Sequence, residues 1–266
     1  MRVGRGSALE AMIGVRESSG DVVPYIERMM AEHPWSRSYE VDDSRRPPRP
    51  PSKREHFHPS KDCTECARLL YFERMPDIAP MLDDGVTPRL QLIFKTGTAL
   101  HCMLQALFEE MGRLPGYPGF VGNEVRLVDE GMNMGGYADT IVRMPGDDVD
   151  TIIDFKTANP QVMRSLRGPK VEHVMQLNCY MRMYGSPCRA KLLYLDKGDC
   201  SMREFDVGPV DMAPVAAKWS AVMSALDSED PSALPFAGAD GSARCRRCPA
   251  ASVCRRYAGP GHGPRS

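Results

Sequence analysis

The order of periodic segments along the chain predicts an α/β protein with a central mixed sheet flanked by helices. Three observations carry this expectation. Thr96–Met111 repeats Leu100, Met103, Leu104, Leu107 and Phe108 at helical spacing, the pattern of a helix with one buried face. Three strand-like segments follow, Gly122–Val128, Asn133–Met144 and Val149–Lys156, with turn residues at Gly131 and Pro145-Gly146-Asp147 between them. A second helix over Val171–Tyr184 then precedes two more strands, Ala190–Leu195 and Met202–Val207. Helix, three strands, helix and further strands make an α/β core.

The remaining elements are arranged around that core. Residues 1–56 read as an appendage, in which Asp21–Glu32 forms a short helix with Val22, Ile26 and Met29/Met30 on one face. Asp42–Lys53 (DDSRRPPRPPSK) is charged and proline-rich, hence an extended linker. The compact domain, 57–257, begins near Phe57 with a helix over Ser60–Arg74 that carries Cys66, Leu69 and Leu70. Residues 76–90 hold three prolines and read as a loop. Val210–Leu226 is a third helix, the rest of the domain is irregular, and 258–266 is a flexible tail. There is no internal repeat.

Composition excludes several classes. With 42% hydrophobic and 26% charged residues the chain is globular rather than disordered. No apolar run approaches the roughly 18–20 residues a bilayer requires. Met1–Glu10 has Arg2 and Arg5 but no apolar stretch behind them, so it is not a secretory signal, and a cytoplasmic location is expected. The net charge of −1 gives no global attraction to nucleic acid. Basic residues do cluster locally: Arg45, Arg46, Arg49, Lys53 and Arg54; Arg164, Arg167 and Lys170; and Arg244, Arg246, Arg247, Arg255 and Arg256. Nine cysteines without secretion do not make a disulfide framework. Cys102, Cys179, Cys188 and Cys200 read as packing residues; the other five need another explanation.

The chemistry centres on Asp154-Phe155-Lys156. Side chains alternate along a strand, so Asp154 and Lys156 share one face and Phe155 points into the core. Gly135-Gly136-Tyr137-Ala138-Asp139 lies in the neighbouring strand, where glycines admit a close approach and Asp139 offers a second carboxylate. Two carboxylates, the Phe155 carbonyl and waters suit Mg²⁺ or Mn²⁺. His101 adds a nitrogen, which suits a transition metal better than Mg²⁺. Gln176 and Tyr180 stand at i and i+4 on one helix face, positioned to orient Lys156 or a phosphate. Each of these, taken singly, has an ordinary reading as a surface ion pair or a half-buried polar residue.

In order, Gly97-x-x-x-His101, Gly136-x-x-Asp139, Asp154-x-Lys156 and Gln176-x-x-x-Tyr180 resemble the motifs of the PD-(D/E)xK nucleases, specifically the RecB-like branch, over about 57–257. Glu124 resembles the acidic residue that often opens the first core strand there, and Asp154 replaces the commoner Glu. The resemblance implies a restriction-endonuclease-like core and phosphodiester hydrolysis. It makes His101, Asp139, Asp154 and the Phe155 carbonyl ligands of Mn²⁺ or Mg²⁺. Asp139, Asp154, Lys156, Gln176 and Tyr180 become the catalytic set.

Cys245-x2-Cys248-x5-Cys254 supplies three thiolates, and a fourth must come from Cys63 or Cys66. Spacing alone admits zinc, with Cys63-x2-Cys66 and Cys245-x2-Cys248 as two knuckles. Cys66-Ala67-Arg68-Leu69-Leu70-Tyr71 resembles the Cys-x-Arg-x-x-Tyr of iron–sulfur RecB-like nucleases. That resemblance implies a [4Fe-4S] cluster on Cys66, Cys245, Cys248 and Cys254, forming a cysteine-ligated subdomain whose main role is structural. Arg164, Arg167, Lys170, Arg246 and Arg247 are then candidate contacts to the DNA backbone.

The expectation is a DNA exonuclease acting on single-stranded DNA or DNA ends, similar to CRISPR-associated RecB-like exonucleases and phage relatives. Its expected partners are recombination, replication or CRISPR-adaptation proteins and no membrane, in the cytoplasm (the host's, if phage-encoded). Two alternatives stand beside it: a catalytically idle DNA-binding or adaptor module on the same fold, and a zinc-stabilised nuclease. No GxxxxGK[ST] motif is present, so any helicase motor is a separate protein.

Overall fold

The computed structural model describes residues 15–17, 20–33, 56–82, 86–236 and 243–257. The Asp42–Lys53 linker, the first basic cluster, Met1–Glu10 and the 258–266 tail lie outside the described residues. In chain order the strands are β1 (Val15–Glu17), β2 (Gly119–Asp129), β3 (Met134–Arg143), β4 (Asp150–Ala158), β5 (Cys188–Asp196) and β6 (Met202–Val207). The helices are α1 (Val23–Glu32), α2 (Pro59–Asp62), α3 (Ala67–Phe72), α4 (Pro88–Met111), α5 (Pro160–Ser165), α6 (Val171–Tyr184), α7 (Ala213–Asp227), α8 (Ala243–Arg246) and α9 (Ala251–Arg256).

One mixed sheet has the order β1-β6-β5-β4-β3-β2. β2, β3 and β4 form an antiparallel meander, β4 and β5 run parallel, and β6 returns antiparallel to β5. A parallel pair needs a crossover rather than a hairpin. Here α5 and α6 supply it, and that connection brings α6 back over the sheet beside β4. Alternate residues of β4 feed two different cores. Ile152 packs with Leu192, Tyr194, Val174, Leu177 and Tyr180 under α6. Ile153 and Phe155 pack with Leu104, Leu107 and Phe108 of α4 on the opposite face. A third cluster joins Phe57, Leu69, Leu70, Tyr71 and Phe72 to Val215, Trp219 and Val222 of α7, with Phe57 and Trp219 stacked at 4.9 Å.

The mixed sheet flanked by helices and the helix at Val171–Tyr184 match the expectation, and four differences have physical causes. The helix expected over Ser60–Arg74 is two helices, because the chain turns at 63–66. Cys66 is extended (ψ 132°), and the carbonyls of Asp62, Cys63 and Glu65 all accept hydrogen bonds from Lys218 Nζ at 2.7, 2.7 and 3.1 Å. An ammonium has three donors, so one side chain satisfies the carbonyls left open by the break. The helix expected from Thr96 starts eight residues earlier, at Pro88, with Thr87 Oγ1 accepting from the Leu90 N–H. Leu92, Ile93 and Phe94 in its first half are exposed, so periodicity revealed only the buried half.

The stretch after Leu226 is not wholly irregular, since α8 and α9 lie within it. Finally, the described part of 1–56 joins the core instead of hanging from it. β1 pairs with β6, and Val22, Ile26 and Met29 join the core cluster that also holds Leu107, Val142 and Leu193. Glu204, itself buried, accepts the N–H groups of Asp21, Val22 and Val23 at the start of α1. Among the described residues no helix is long and apolar enough to cross a membrane.

Candidate active site and the four-cysteine group

The candidate site occupies a gap in the sheet. The β3–β4 ladder runs from Val142↔Thr151 to Thr140↔Ile153 and stops there, while β4 stays paired with β5 as far as Ala158↔Asp196. Past Thr140 the strands part. The Phe155 N–H then donates to the side chain of Asp139, Oδ2 at 2.8 Å, instead of to a backbone carbonyl. The gap opens to both faces, which is how His101 of α4 and Gln176 of α6 reach one place. His101 Nδ1 lies 3.4 Å from Asp139 Oδ2, and its ring stands edge-on to Phe155 at 5.8 Å.

On the α6 side a continuous polar network runs through the sequence-predicted residues. Lys156 Nζ donates to Gln176 Oε1 at 2.8 Å. Gln176 Nε2 donates to Asp154 Oδ1 at 3.1 Å and to Tyr180 Oη at 3.0 Å. Lys156 Nζ also lies 2.7 Å from Asp154 Oδ2, an ion contact without hydrogen-bond alignment. Gly136 is required by this arrangement: a Cβ there would stand 2.8 Å from Tyr180 Cε1. Gly136→Ala is therefore expected to displace the Tyr180 ring. The stability cost is about 1–3 kcal/mol, with a loss of hydrolytic rate of about tenfold or more because Gln176 loses its support. Thermal unfolding and a nuclease assay on the purified variant check both.

Burial pushes the Asp154 carboxyl up to about 6; Lys156 opposes the shift and the Asp139 charge adds to it. Burial works on Asp139 in the same direction, but His101, Lys156 and the Phe155 N–H together hold that carboxyl below its ordinary value. Burial, and then the Asp154 charge, keep the Tyr180 phenol well above its usual range, so Tyr180 is a hydrogen-bonding group and not an acid. Asp154 loses its proton near pH 4 in the unfolded chain. The metal-free folded protein thus holds an extra proton between about pH 4 and 6, and stability falls as pH rises through that window. Asp154→Asn is expected to remove this slope, measured as the melting temperature of the two proteins in chelator from pH 4 to 7.

Two buried atoms here, His101 Nδ1 and Asp154 Oδ2, are each met by one charged neighbour without full hydrogen-bond alignment, Asp139 Oδ2 at 3.4 Å and Lys156 Nζ at 2.7 Å. Buried polar atoms are rarely left so. A carboxylate oxygen and an imidazole nitrogen held in this way, with a second carboxylate beside them, are a donor set that fits Mn²⁺ or Mg²⁺. Among the described residues no three His, Cys, Asp or Glu side chains already form a metal-holding group. The donors are turned to protein partners instead, Asp154 Oδ2 to Lys156 and Asp139 Oδ2 to Phe155 N.

Two neighbours of this set were less legible. Gln105, one turn after His101, donates to Glu124 Oε1 at 2.9 Å and to the Asp139 carbonyl at 3.1 Å. The i+4 spacing from His101 was the available signal. Glu124 sits in the left-handed region, φ 48°, two residues past the register shift at Phe120–Gly122 in β2. For a residue with a side chain this costs about 1–3 kcal/mol, and such strain gathers at working sites. Arg164, Arg167 and Lys170 are exposed on the connection from β4 to α6, and Arg246 and Arg247 are exposed at the far end of the chain.

Cys66, Cys245, Cys248 and Cys254 are free thiols, and Cys66, Cys248 and Cys254 pack against the third core cluster. Burial pushes the Cys248 thiol up, with Cys66, Cys254 and Cys245 adding to the shift. Burial raises Cys254 as well; Arg68 opposes this by a hydrogen bond, while Cys66 and Cys245 add to it. The four thiols thus influence one another, but among the described residues they do not form a group placed to hold a metal ion. Cys63 is engaged elsewhere, its Sγ 3.3 Å from that of Cys179 in the interior. Arg68 ties the two ends of the domain together, donating to the carbonyls of Leu234 at 3.0 Å and Tyr257 at 3.2 Å.

Comparison with known proteins gives one family. The family model for the PD-(D/E)XK nuclease superfamily matches residues 116–255, which include Glu124, Asp139, Asp154, Lys156, Gln176, Tyr180 and the three C-terminal cysteines. His101 and Cys66 lie before the matched stretch. No curated protein matches the chain significantly. Among solved structures, the crystal structure of SSO0001 is similar at 16% identity and a TM-score of 0.43, covering 88% of this chain and 95% of that one. An alkaline exonuclease (LHK-Exo) from Laribacter hongkongensis is similar at 15% identity and a TM-score of 0.37, covering 66% of this chain and 90% of that one.

Proposed function

The chain belongs to the PD-(D/E)XK nuclease superfamily, and from that premise we propose that it is a metal-dependent DNA exonuclease of the RecB-like branch. Single-stranded DNA or DNA ends are its substrates, and Cys66, Cys245, Cys248 and Cys254 hold a [4Fe-4S] cluster. The observation that carries the hydrolytic reading is the buried Asp154, its Oδ2 held by the Lys156 ammonium at 2.7 Å, with the second carboxylate of Asp139 beside it. Keeping two carboxylates and an ammonium in a sheet gap is costly unless a cation and a phosphate use them.

In this reading Asp139, Asp154, His101 and the Phe155 carbonyl hold Mn²⁺ or Mg²⁺. The chemistry such an ion supplies is polarisation of the scissile phosphate and acidification of the attacking water. The protein's own groups do the rest. Lys156 offsets charge that builds on the phosphate in the transition state, where a fixed donor in a dry site counts most. Gln176 holds Lys156 and Asp154 at once, and Tyr180 fixes Gln176. Arg164, Arg167 and Lys170 engage the DNA backbone beside the site, with Arg246 and Arg247 as further contacts. The 57–257 unit is the nuclease domain, closed by the cluster, with 1–56 as an N-terminal addition. A cytoplasmic setting, with recombination, replication or CRISPR-adaptation proteins as partners, belongs to the same reading.

The test is degradation of single-stranded and duplex DNA labelled at either end, in Mn²⁺, in Mg²⁺ and in chelator. Metal-dependent release of nucleotides from an end supports the proposal. Retention of intact DNA under every condition, with DNA still bound, would favour an adaptor module.

A further inference from the structure

Beside Lys156 stands a polar pair that this mechanism leaves unused. Lys156 and Tyr194 are direct partners in the parallel β4–β5 register, so the phenol rises from the sheet on the same side as the ammonium. Tyr194 is 1% exposed, and its Oη accepts the backbone N–H of Lys170 at 3.0 Å and lies 2.7 Å from His173 Nδ1. The phenol has one proton to give, and His173 Nδ1 is the acceptor within its reach. Were Nδ1 itself protonated, the hydroxyl proton would be sealed in without an acceptor. Nδ1 therefore accepts, and the ring proton is on Nε2.

That N–H has no partner among the described residues, and His173 is only half buried. His173 lies one turn before Gln176 on α6, about 5 Å along the helix. Burial, and after it the charges of Lys156 and Lys170, push its pKa down to about 3, so the ring is an uncharged donor. The exposed Lys170, Arg164 and Arg167 lie on the connection leading to it.

We propose that His173 is a further substrate-contact residue, its Nε2–H donating to a non-bridging oxygen of the phosphate adjacent to the scissile one, with Tyr194 as the positioning residue that turns the ring. The proposal rests on the nuclease reading above and adds to it a backbone contact that carries no charge. Such a contact strengthens binding without releasing counterions, so it leaves no mark on the salt dependence.

The experiment is binding of a fluorescent single-stranded oligonucleotide in chelator, read by anisotropy over a range of salt, with cleavage measured separately in Mn²⁺. His173→Ala is expected to bind about tenfold more weakly at every salt concentration, with the slope of log Kd against log salt unchanged. Lys170→Ala, in contrast, lowers that slope by about one. His173→Gln, which keeps a donor, retains most of the affinity, and Tyr194→Phe loses several-fold. A methylphosphonate at one backbone position, which also removes a charge, weakens the wild type several-fold more than it weakens the alanine variant. Should His173→Ala fail to fold, His173→Leu carries the same comparison against His173→Gln. Wild-type affinity in the alanine or leucine variant, or a lowered salt slope, overturns the proposal. A chain that never cleaves DNA yet shows this dependence on His173 would sink the hydrolase reading and leave the contact standing. An active chain indifferent to His173 would do the reverse.

Discussion

Asp154→Ala is expected to lower the rate of DNA hydrolysis by about a thousandfold or more, while the variant remains folded. Two separate losses add up in that number. The candidate metal loses a carboxylate, and Lys156 and Gln176 lose the group whose two oxygens they contact, Oδ2 at 2.7 Å and Oδ1 at 3.1 Å. The informative control is Asp154→Asn, which keeps the shape and removes the charge. Burial and the Asp139 charge push Asp154 up to about 6, so at neutral pH without metal the carboxylate opposes folding. The asparagine variant is therefore expected to be inactive and, in chelator, more stable than the wild type. Activity falling while stability rises is the signature of a group retained for chemistry. The same two measurements separate this site from a structural ion pair, for which loss of Asp154 leaves hydrolysis intact and lowers the melting temperature. Equal DNA degradation by wild type and Asp154→Ala would falsify the catalytic assignment.

The chemistry at β4 was readable from the chain because strand alternation is local. It needs no knowledge of the fold to put Asp154 and Lys156 on one face and Phe155 on the other. The helix Val171–Tyr184 was equally readable, with Gly185 ending it at φ 72° in the left-handed region. What could not be read depends on partners far away in sequence. The break at Cys63–Cys66 is held by Lys218, more than 150 residues on. The parting of β3 from β4, which lets His101 and Gln176 meet from opposite faces, leaves no local signal at all. Nor does the positive φ of Glu124, since glutamate has no preference for that region. Cys63 illustrates the limit most clearly. Its spacing to Cys66 is that of a metal knuckle, yet its sulfur faces Cys179. Contact with Cys63, and then burial, push the Cys179 thiol up, which suits an inert interior pair.

That division among the cysteines leads to the second large effect. On the proposed cluster, Cys66→Ala is expected to abolish iron binding and to destabilise the protein by about 5 kcal/mol. Cys66 begins α3 near the start of the domain, and the other three thiols lie about 180 residues later, in and around α8 and α9. A cross-link over so long a loop restricts the unfolded chain strongly, and in the folded protein the ends also share packing, with Leu234 and Ala250 in the cluster of Leu69 and Phe72. Arg68 reaches Leu234 and Tyr257, and Phe72 packs on Tyr257 at 5.5 Å. Those contacts survive the substitution, so the C-terminal segment should loosen first while the sheet persists. Limited proteolysis cutting between α7 and α8 ahead of global unfolding is the expected pattern. Cys63→Ala serves as the counterpart, with iron retained and only a small packing loss near Cys179. The measurements are iron, sulfide and zinc content of anaerobically purified protein, its visible absorption, and its unfolding curve. Colourless wild-type protein with stoichiometric zinc assigns the same four thiolates to zinc and removes the cluster. Iron lost from Cys63→Ala and kept in Cys66→Ala would exchange the two residues' roles, and the Sγ contact with Cys179 would then have to open to release Cys63 as a ligand.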